Sequence, residues 1–243
     1  MYGDKLIIGE QYYDGSGNAD FLDNSGMVRV FNVNDETQIG STITGDASGG
    51  DYAGSSVMMS KNGQCIIYGA VEATDATVSG GQAHVYCLNA NDDGWILRST
   101  LHAEQNNDKY GHSVAITSDG DYVAVSAIEN DVGGTKIDAG HVRVFCFDGV
   151  EYVQLGNDID GSEGQVWKDR YYVGDSSGFD IAMSDVNEDG IIRIVIGSPN
   201  NQDGGYYFGE VSVWTLFCLF VFQLMPSFSK TFYYTRFAYL SGK

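Results

Sequence analysis

The 243-residue sequence contains only 2 prolines and 4 cysteines, and its 13 lysines and arginines are outnumbered by 33 aspartates and glutamates. The cysteines show no CxxC or Cys/His spacing and are too few for a disulfide scaffold, so we expect buried thiols. The formal net charge of −20 disfavours nucleic acid and anionic lipid as partners, because both attract basic side chains. A hydrophobic content of 43% excludes an intrinsically disordered chain.

Two further features are missing. No stretch of about 12 residues shows the apolar period of 3.6 that is typical of an amphipathic helix, so the sequence predicts almost no helix. Residues 1–10 (MYGDKLIIGE) lack the basic and apolar regions of a secretory signal, and this segment therefore does not indicate a compartment.

Internal repeats dominate what is present. A glycine followed by alternating β-formers recurs after 55, 59 and 69 residues, beginning at Gly26, Gly81, Gly140 and Gly209. A second marker begins at Tyr52, Tyr110 and Ser177, and each copy is followed by a turn and a short apolar strand that ends in small residues. Asn62-Gly63 and Asp119-Gly120 stand where the first two strands must reverse, and these pairs favour tight hairpin turns.

The repeats predict an all-β fold made of β-propeller blades. We expect about three and a half four-stranded repeats of about 57 to 69 residues, at 1–50, 51–106, 107–173 and 174–214. A β-sandwich also uses many short strands, but it does not explain a period near 60 residues. The predicted propeller is incomplete, or it is a fragment of a larger one.

The segment Ser177–Pro199 (SGFDIAMSDVNEDGIIRIVIGSP) resembles the FG-GAP repeat of the integrin α-subunit β-propeller, and 110–127 and 52–70 are similar to it in part. The pair that names the repeat departs from Phe-Gly in all three copies, and the end of the segment reads Gly-Ser-Pro. The resemblance implies a propeller, cation-binding hairpin loops and an extracellular adhesion role.

The spacing Asp185-x-Asn187-x-Asp189-Gly190 places oxygen ligands at alternate positions before a glycine, as loops that wrap Ca²⁺ do. The resemblance adds the backbone carbonyl of Ile191 as a ligand, and it places Arg193 where that family usually has an acid. One weak Ca²⁺ site is therefore expected. The alternative is a polar hairpin turn held by Asp and Asn side chains.

The tail at 215–243 differs from the rest, since all 33 acidic residues lie at or before Glu210. The apolar stretch WTLFCLFVFQLM at 214–225 fits three interpretations: a membrane anchor, a last strand of the final blade, or foreign sequence from a gene-model error.

The sequence thus predicts a non-enzymatic binding or adhesion module, outside the cell or at its surface, that binds a protein or glycan through its loops. Asp- and Gly-rich loops at 14–23, 130–138 and 200–205 fit two interpretations: they line this loop face, or they are ordinary solvated loops, which is the more common case. The scattered histidines and the absence of GxSxG, Walker and HExxH motifs argue against catalysis in this chain. The alternatives are a propeller accessory to an enzyme encoded elsewhere and a truncated product without independent function.

Overall fold

A computed structural model describes residues 3–14, 24–45, 49–91, 93–164, 166–168, 171–185, 191–201, 209–217 and 234–239. Within these ranges the chain forms antiparallel strands joined by turns and contains no helix. The predicted all-β class is therefore confirmed.

Most strands form four antiparallel sheets that follow one another along the chain. The first sheet contains β1 (Lys5–Glu10), β2 (Met27–Asn32) and β3 (Ile43–Thr44). The second contains β4 (Ala53–Met59), β5 (Cys65–Ala70), β6 (Gln82–Leu88) and β7 (Trp95–His102). The third contains β8 (Tyr110–Ile116), β9 (Tyr122–Ala127), β10 (His141–Phe147), β11 (Tyr152–Gln154) and β12 (Ile159–Asp160). A separate hairpin of β13 (Val166–Lys168) and β14 (Tyr171–Val173) precedes the fourth sheet, which contains β15 (Asp180–Met183), β16 (Ile191–Ser198), β17 (Glu210–Phe217) and β18 (Tyr234–Tyr239).

The second and fourth sheets are simple meanders in which each strand pairs with the next along the chain. The predicted turns stand between the first two strands, and Gly63 and Gly120 adopt φ values of 69° and 88°, which only glycine reaches without strain. The sequence pattern of the second repeat predicts strands at about 54–60, 64–69, 83–88 and 95–101, and the observed strands agree with these bounds to within one residue at each end.

Hydrophobic side chains lie between successive sheets, because alternate residues of a strand point to opposite faces. The described residues form three such cores. The core between the first and second sheets includes Val28, Val30, Ile66 and Tyr68. The core between the second and third sheets includes Ile67, Val85, Val123 and Val125. The core between the third and fourth sheets includes Val142, Val144, Ile192 and Ile194.

The same backbone contact joins each sheet to the next. The donors are the N–H groups of Ala53, Tyr110 and Ser177, and the acceptors are the carbonyls of Ser25, Gly80 and Ala139, at 3.0, 2.8 and 2.9 Å. A glycine with positive φ follows each donor, namely Gly54, Gly111 and Gly178, and each of the three packs closely on strands of the preceding sheet. A Cβ atom built on Gly69 would lie 1.8 Å from the carbonyl oxygen of Gly111, so glycine at position 69 is required by packing rather than by its dihedral angles.

Two cysteines depart from the prediction of buried thiols. Cys65 and Cys87 are opposite each other on β5 and β6 and form a disulfide with a Cα–Cα distance of 4.0 Å. Cys146 is a buried cysteine outside this disulfide, and Cys218 lies outside the described residues. Sequence spacing missed the disulfide because the two residues meet only through the register of the two strands.

Part of the apolar tail belongs to the fourth sheet. β17 continues through Phe217, and β18 at 234–239 pairs with it in antiparallel register. Residues 218–233 and 240–243 lie outside the described ranges. Where the structure is described, no helix has the length and hydrophobicity needed to cross a membrane.

Candidate functional site

The predicted calcium loop is described only at its two ends. Asp185 accepts a hydrogen bond from the backbone N–H of Ser118 at 2.7 Å, and this contact with Ser118 lowers the pKa of the Asp185 carboxyl group. Asp185 therefore ties the fourth sheet to the β8–β9 turn. Ile191 is the first residue of β16, whereas Asn187 and Asp189 lie outside the described residues. The Ca²⁺ site remains a prediction.

The structure brings together another set of ligand atoms, from Glu104, His141 and Asp158. One side-chain ligand atom from each of these residues lies within 4.8 Å of the other two. Glu104 follows β7, His141 is the first residue of β10, and Asp158 directly precedes β12, which pairs with β10. The cluster therefore lies where the second and third sheets meet.

The histidine of this cluster is buried, while its two carboxylates reach the surface. His141 is 1% exposed, and the side chains of Asp158 and Glu104 are 24% and 48% exposed. The Nδ1 atom of His141 lies 3.6 Å from Oδ2 of Asp158. Burial and the nearby Arg143 lower the pKa of His141 to about 4, against the opposing effect of Asp158. The imidazole is therefore neutral at pH 7, and one ring nitrogen has a lone pair for a metal ion or a proton.

Arg143 lies beside the cluster because it is two residues after His141 on the same face of β10. Its Nη2 atom donates to the carbonyl of His102 at 2.7 Å, and its Nη1 atom lies 3.4 Å from Oε1 of Glu104. The guanidinium carbon lies 4.5 Å from the centroid of the Tyr110 ring. These contacts place a fixed positive charge next to the three ligand groups.

Three buried side-chain atoms near this point have no hydrogen-bond partner among the described protein groups. They are Oη of Tyr110, Nε2 of His141 and Nε of Arg143. Buried polar atoms in folded proteins nearly always have a partner. The register places Tyr110 and His141 on either side of Ala127, and all three residues face the second sheet. This concentration of unsatisfied atoms suits a site that accepts a polar solute.

The cluster occurs at one sheet junction only within the described residues. At the repeat position of His141 the other copies have Met27, Gln82 and Glu210. The repeated scaffold therefore does not require a histidine there.

Sequence reasoning missed this cluster because its members are 37 and 17 residues apart along the chain and belong to no motif. One signal was available. His141 and Arg143 alternate with Val142 and Val144 in a strand that the repeat places inside the molecule, so two polar side chains had to face a core.

Comparisons with known proteins give no family assignment. No family model matches the chain, and no curated protein matches it. Among solved structures, one similar chain is a putative 6-phosphogluconolactonase from Bacteroides fragilis NCTC 9343, at 10% identity and a TM-score of 0.44, over 89% of this chain and 49% of the other. A putative 6-phosphogluconolactonase from Bacteroides uniformis ATCC 8492 has 8% identity and a TM-score of 0.26, over 96% and 82% of the two chains. This chain spans about half the length of the first of these structures.

These findings correct the predicted family. The resemblance to FG-GAP repeats and the integrin α-subunit was wrong, since no family model matches and the similar structures reported above carry the name of a lactonase. The physical reason lies in the markers themselves. The glycines and tight turns that supported the resemblance follow from close packing between antiparallel sheets, a requirement that unrelated families share.

The predicted activity needs the same correction. The expectation of a non-enzymatic binding or adhesion module is corrected, since no family model or curated protein supports it and the two solved structures reported above are named as putative 6-phosphogluconolactonases. A search for local motifs could not have found the cluster of Glu104, His141 and Asp158, since these residues come together only through folding.

Proposed function

We propose that this chain carries a metal-dependent hydrolytic centre at the junction of its second and third sheets, with Glu104, His141 and Asp158 as ligands. The observation that carries the proposal is the mutual approach of their ligand atoms to within 4.8 Å. Ligands of one tetrahedral Zn²⁺ ion lie about 3.3 Å apart, given metal–ligand bonds of about 2.0–2.1 Å. To complete such a site, the three ligand atoms must move closer to one another.

The donor set favours a transition metal. One imidazole nitrogen with two carboxylates suits Zn²⁺, whereas Ca²⁺ takes oxygen ligands only. Three protein ligands leave a further position for water, as catalytic zinc sites do. The exposure of Glu104 and Asp158 puts that position toward solvent.

A metal ion held there supplies hydrolytic chemistry by lowering the pKa of its bound water. Arg143 provides the second component, a positive charge 3.4 Å from Glu104 that can stabilise an anionic substrate or a developing oxyanion. The buried side of the site keeps His141 in one orientation because β10 and the second sheet enclose it. We therefore expect an ester-type substrate with a carbonyl or phosphoryl centre.

For the scaffold, we infer that the four sheets are blades of a β-propeller. The inference is supported by the four-stranded antiparallel meanders of the second and fourth sheets, by hydrophobic cores between successive sheets and by the repeated backbone contact at each junction. The number of blades in a closed ring remains a prediction, as do the repeat boundaries.

The cell-surface or extracellular location also remains a proposal. The Cys65–Cys87 disulfide supports it, because disulfides persist mainly in oxidising compartments. The Ca²⁺ site at Asp185, Asn187, Asp189 and Ile191 and a protein or glycan partner at the loop face stay as predictions.

Isothermal titration calorimetry of the full chain with Zn²⁺ tests the metal centre. We expect one site, with affinity at least about tenfold weaker in His141→Gln and Asp158→Asn, because each removes one direct ligand. His112→Gln is the matched control, since His112 lies outside the cluster and contacts the ring of Phe179. Equal Zn²⁺ affinity in the wild type and in both cluster variants would contradict the assignment.

Hydrolysis is tested separately with aryl carboxylic and phosphate esters, in chelator and after restoring Zn²⁺. We expect turnover that requires the metal and is lost in His141→Gln. Turnover that persists in chelator would mean that the metal has no role in the reaction.

A further inference from the structure

A second candidate site lies at the opposite end of the same sheet junction. The metal cluster is at the start of β10, whereas a cavity of about 220 Å³ opens at its end, beside Phe147. Side chains of both sheets line this cavity, and among them are Arg98, Asp119, Asp121, Phe147 and Tyr152. None of these residues belongs to the metal cluster.

The cavity contains charges of both signs. Arg98 is exposed on β7 and forms no ion pair with a carboxylate of the described residues, although the chain has 33 acidic side chains. Asp119 accepts hydrogen bonds from the hydroxyl of Thr117 at 2.5 Å and from the backbone N–H of Asp121 at 3.0 Å. The carboxylate of Asp121, by contrast, accepts none from the groups that the structure describes.

Asp121 is therefore the acid available to a ligand. The backbone of Asp121 is held in place, because its carbonyl accepts a hydrogen bond from the backbone N–H of Phe147 at 2.8 Å. Burial and the neighbouring Asp119 raise the pKa of the Asp121 carboxyl group. A cationic ligand group placed beside Asp121 relieves this repulsion.

Two aromatic rings form an apolar wall. The rings of Phe147 and Tyr152 are 5.3 Å apart and tilted by 46°. Tyr152 is held in place because its hydroxyl donates to the carbonyl of Gly120 at 2.5 Å. The guanidinium carbon of Arg98 lies 6.0 Å from the Phe147 ring centroid, so the positive charge borders the same wall.

The Cys65–Cys87 disulfide also lines the cavity and supports the turn that presents Asp121. A Cβ atom on Gly120 would lie 3.1 Å from Sγ of Cys65, and Gly120 has a φ of +88°. The turn therefore packs directly on the disulfide, and only glycine fits between the two aspartates. The disulfide and the turn thus form a rigid part of the cavity wall, while Arg98 and Asp121 are exposed to solvent.

We propose that the cavity binds a small zwitterion with an apolar body, of the free amino acid class. Its carboxylate pairs with Arg98, its ammonium group with Asp121, and its apolar side chain packs on Phe147 and Tyr152. The volume agrees with this class, since sites for drug-sized ligands are about 300–1,000 Å³ and this cavity is smaller. A ligand with one charge leaves either Arg98 or Asp121 without a partner.

Three related probes test the proposal on the full chain by ligand-observed NMR: phenylalanine, phenethylamine and 3-phenylpropionate. The second lacks the carboxylate and the third lacks the amine. We expect phenylalanine to bind at least about tenfold more tightly than either, because it makes both charge-assisted contacts. Equal binding of phenethylamine, or no binding of phenylalanine, overturns the proposal.

Variants then assign each charge. Arg98→Gln should weaken phenylalanine about tenfold and leave phenethylamine unchanged, while Asp121→Asn should weaken both amines. Arg29→Gln is the matched control, because Arg29 lies in the first sheet and pairs with Glu10. If Arg98→Gln and Arg29→Gln bind phenylalanine equally well, the assignment of the carboxylate contact is wrong. The metal centre enters none of these measurements, so either proposal can fail alone.

Discussion

Buried polar residues of this protein fall into two kinds according to their partners. Asp108 and Asp175 are almost fully buried at equivalent repeat positions, and each accepts a hydrogen bond from an asparagine, Asn130 or Asn201, at 3.0 and 3.1 Å. Because they recur and are satisfied, we assign them to the scaffold. His141 is equally buried, but its Nε2 atom has no partner among the described residues and the other repeats have no histidine there.

His84 provides a pH test at the residue scale. Burial, with a contribution from His102, lowers the pKa of His84 to about 4, and its ring stacks on Tyr68 at 5.0 Å. Above about pH 6.5 the residue is neutral in both states, so its contribution to stability is complete. Between pH 6.5 and 4 only the unfolded state takes up the proton, and the free energy of unfolding falls.

Urea unfolding of the wild type and His84→Gln at pH 7.5, 5.5 and 4.5 measures this effect. We expect the variant to lose less stability than the wild type as the pH is lowered. Parallel pH profiles for the two proteins would show that His84 is not the group responsible.

At the scale of elements, strands were predictable because their signal is local. Alternating apolar residues and a preceding glycine indicate the individual strands, and the Asn-Gly and Asp-Gly turns mark the ends of β4 and β8. The pairing of Cys65 with Cys87 was harder to predict from sequence, since the residues are 22 positions apart and meet only once β5 and β6 are placed in register. The register could have been derived from the repeats, and the disulfide then follows.

The disulfide should stabilise the second sheet measurably. Closing a loop with a sequence separation of 22 is worth about 3 kcal/mol in the chain-entropy treatment. We expect the double variant Cys65→Ser/Cys87→Ser to lose about this much free energy of unfolding in urea. Reductant should bring the wild type to the same value and leave the variant unchanged; a reductant-insensitive wild type would show that the bond is not formed.

At the scale of the whole molecule, the sheets pack one after another, and a residue of one sheet is crowded only where the next sheet packs against it. Gly69 and Gly197 occupy the same repeat position, yet a Cβ atom on Gly69 meets the backbone of Gly111 at 1.8 Å, while one on Gly197 meets nothing closer than 3.5 Å. The difference arises because the third sheet packs on the second. The candidate metal site has the same origin, and sequence spacing could not predict it because its residues come from two sheets.

Gly69 and Gly197 give a matched test of the packing between successive sheets. Gly69→Ala must displace backbone atoms of the third sheet, and we expect a loss of about 3 kcal/mol in the free energy of unfolding. Gly197→Ala should change stability by less than about 1 kcal/mol, since alanine at an uncrowded position also lowers the entropy of the unfolded chain. Thermal and urea unfolding of both variants measure the difference, and equal losses would argue against the observed packing of the second and third sheets.

The backbone contact between sheets also affects how this protein can change during evolution. Ala53, Tyr110 and Ser177 make the contact with main-chain atoms, so three different side chains perform one structural task. The repeat position of His141, which is the first residue of β2, β6, β10 and β17, likewise varies: it is methionine, glutamine, histidine or glutamate in the four copies. Selection for chemistry can therefore act at one junction while the others conserve the fold, and a duplicated scaffold of this kind can acquire or lose a site without being rebuilt.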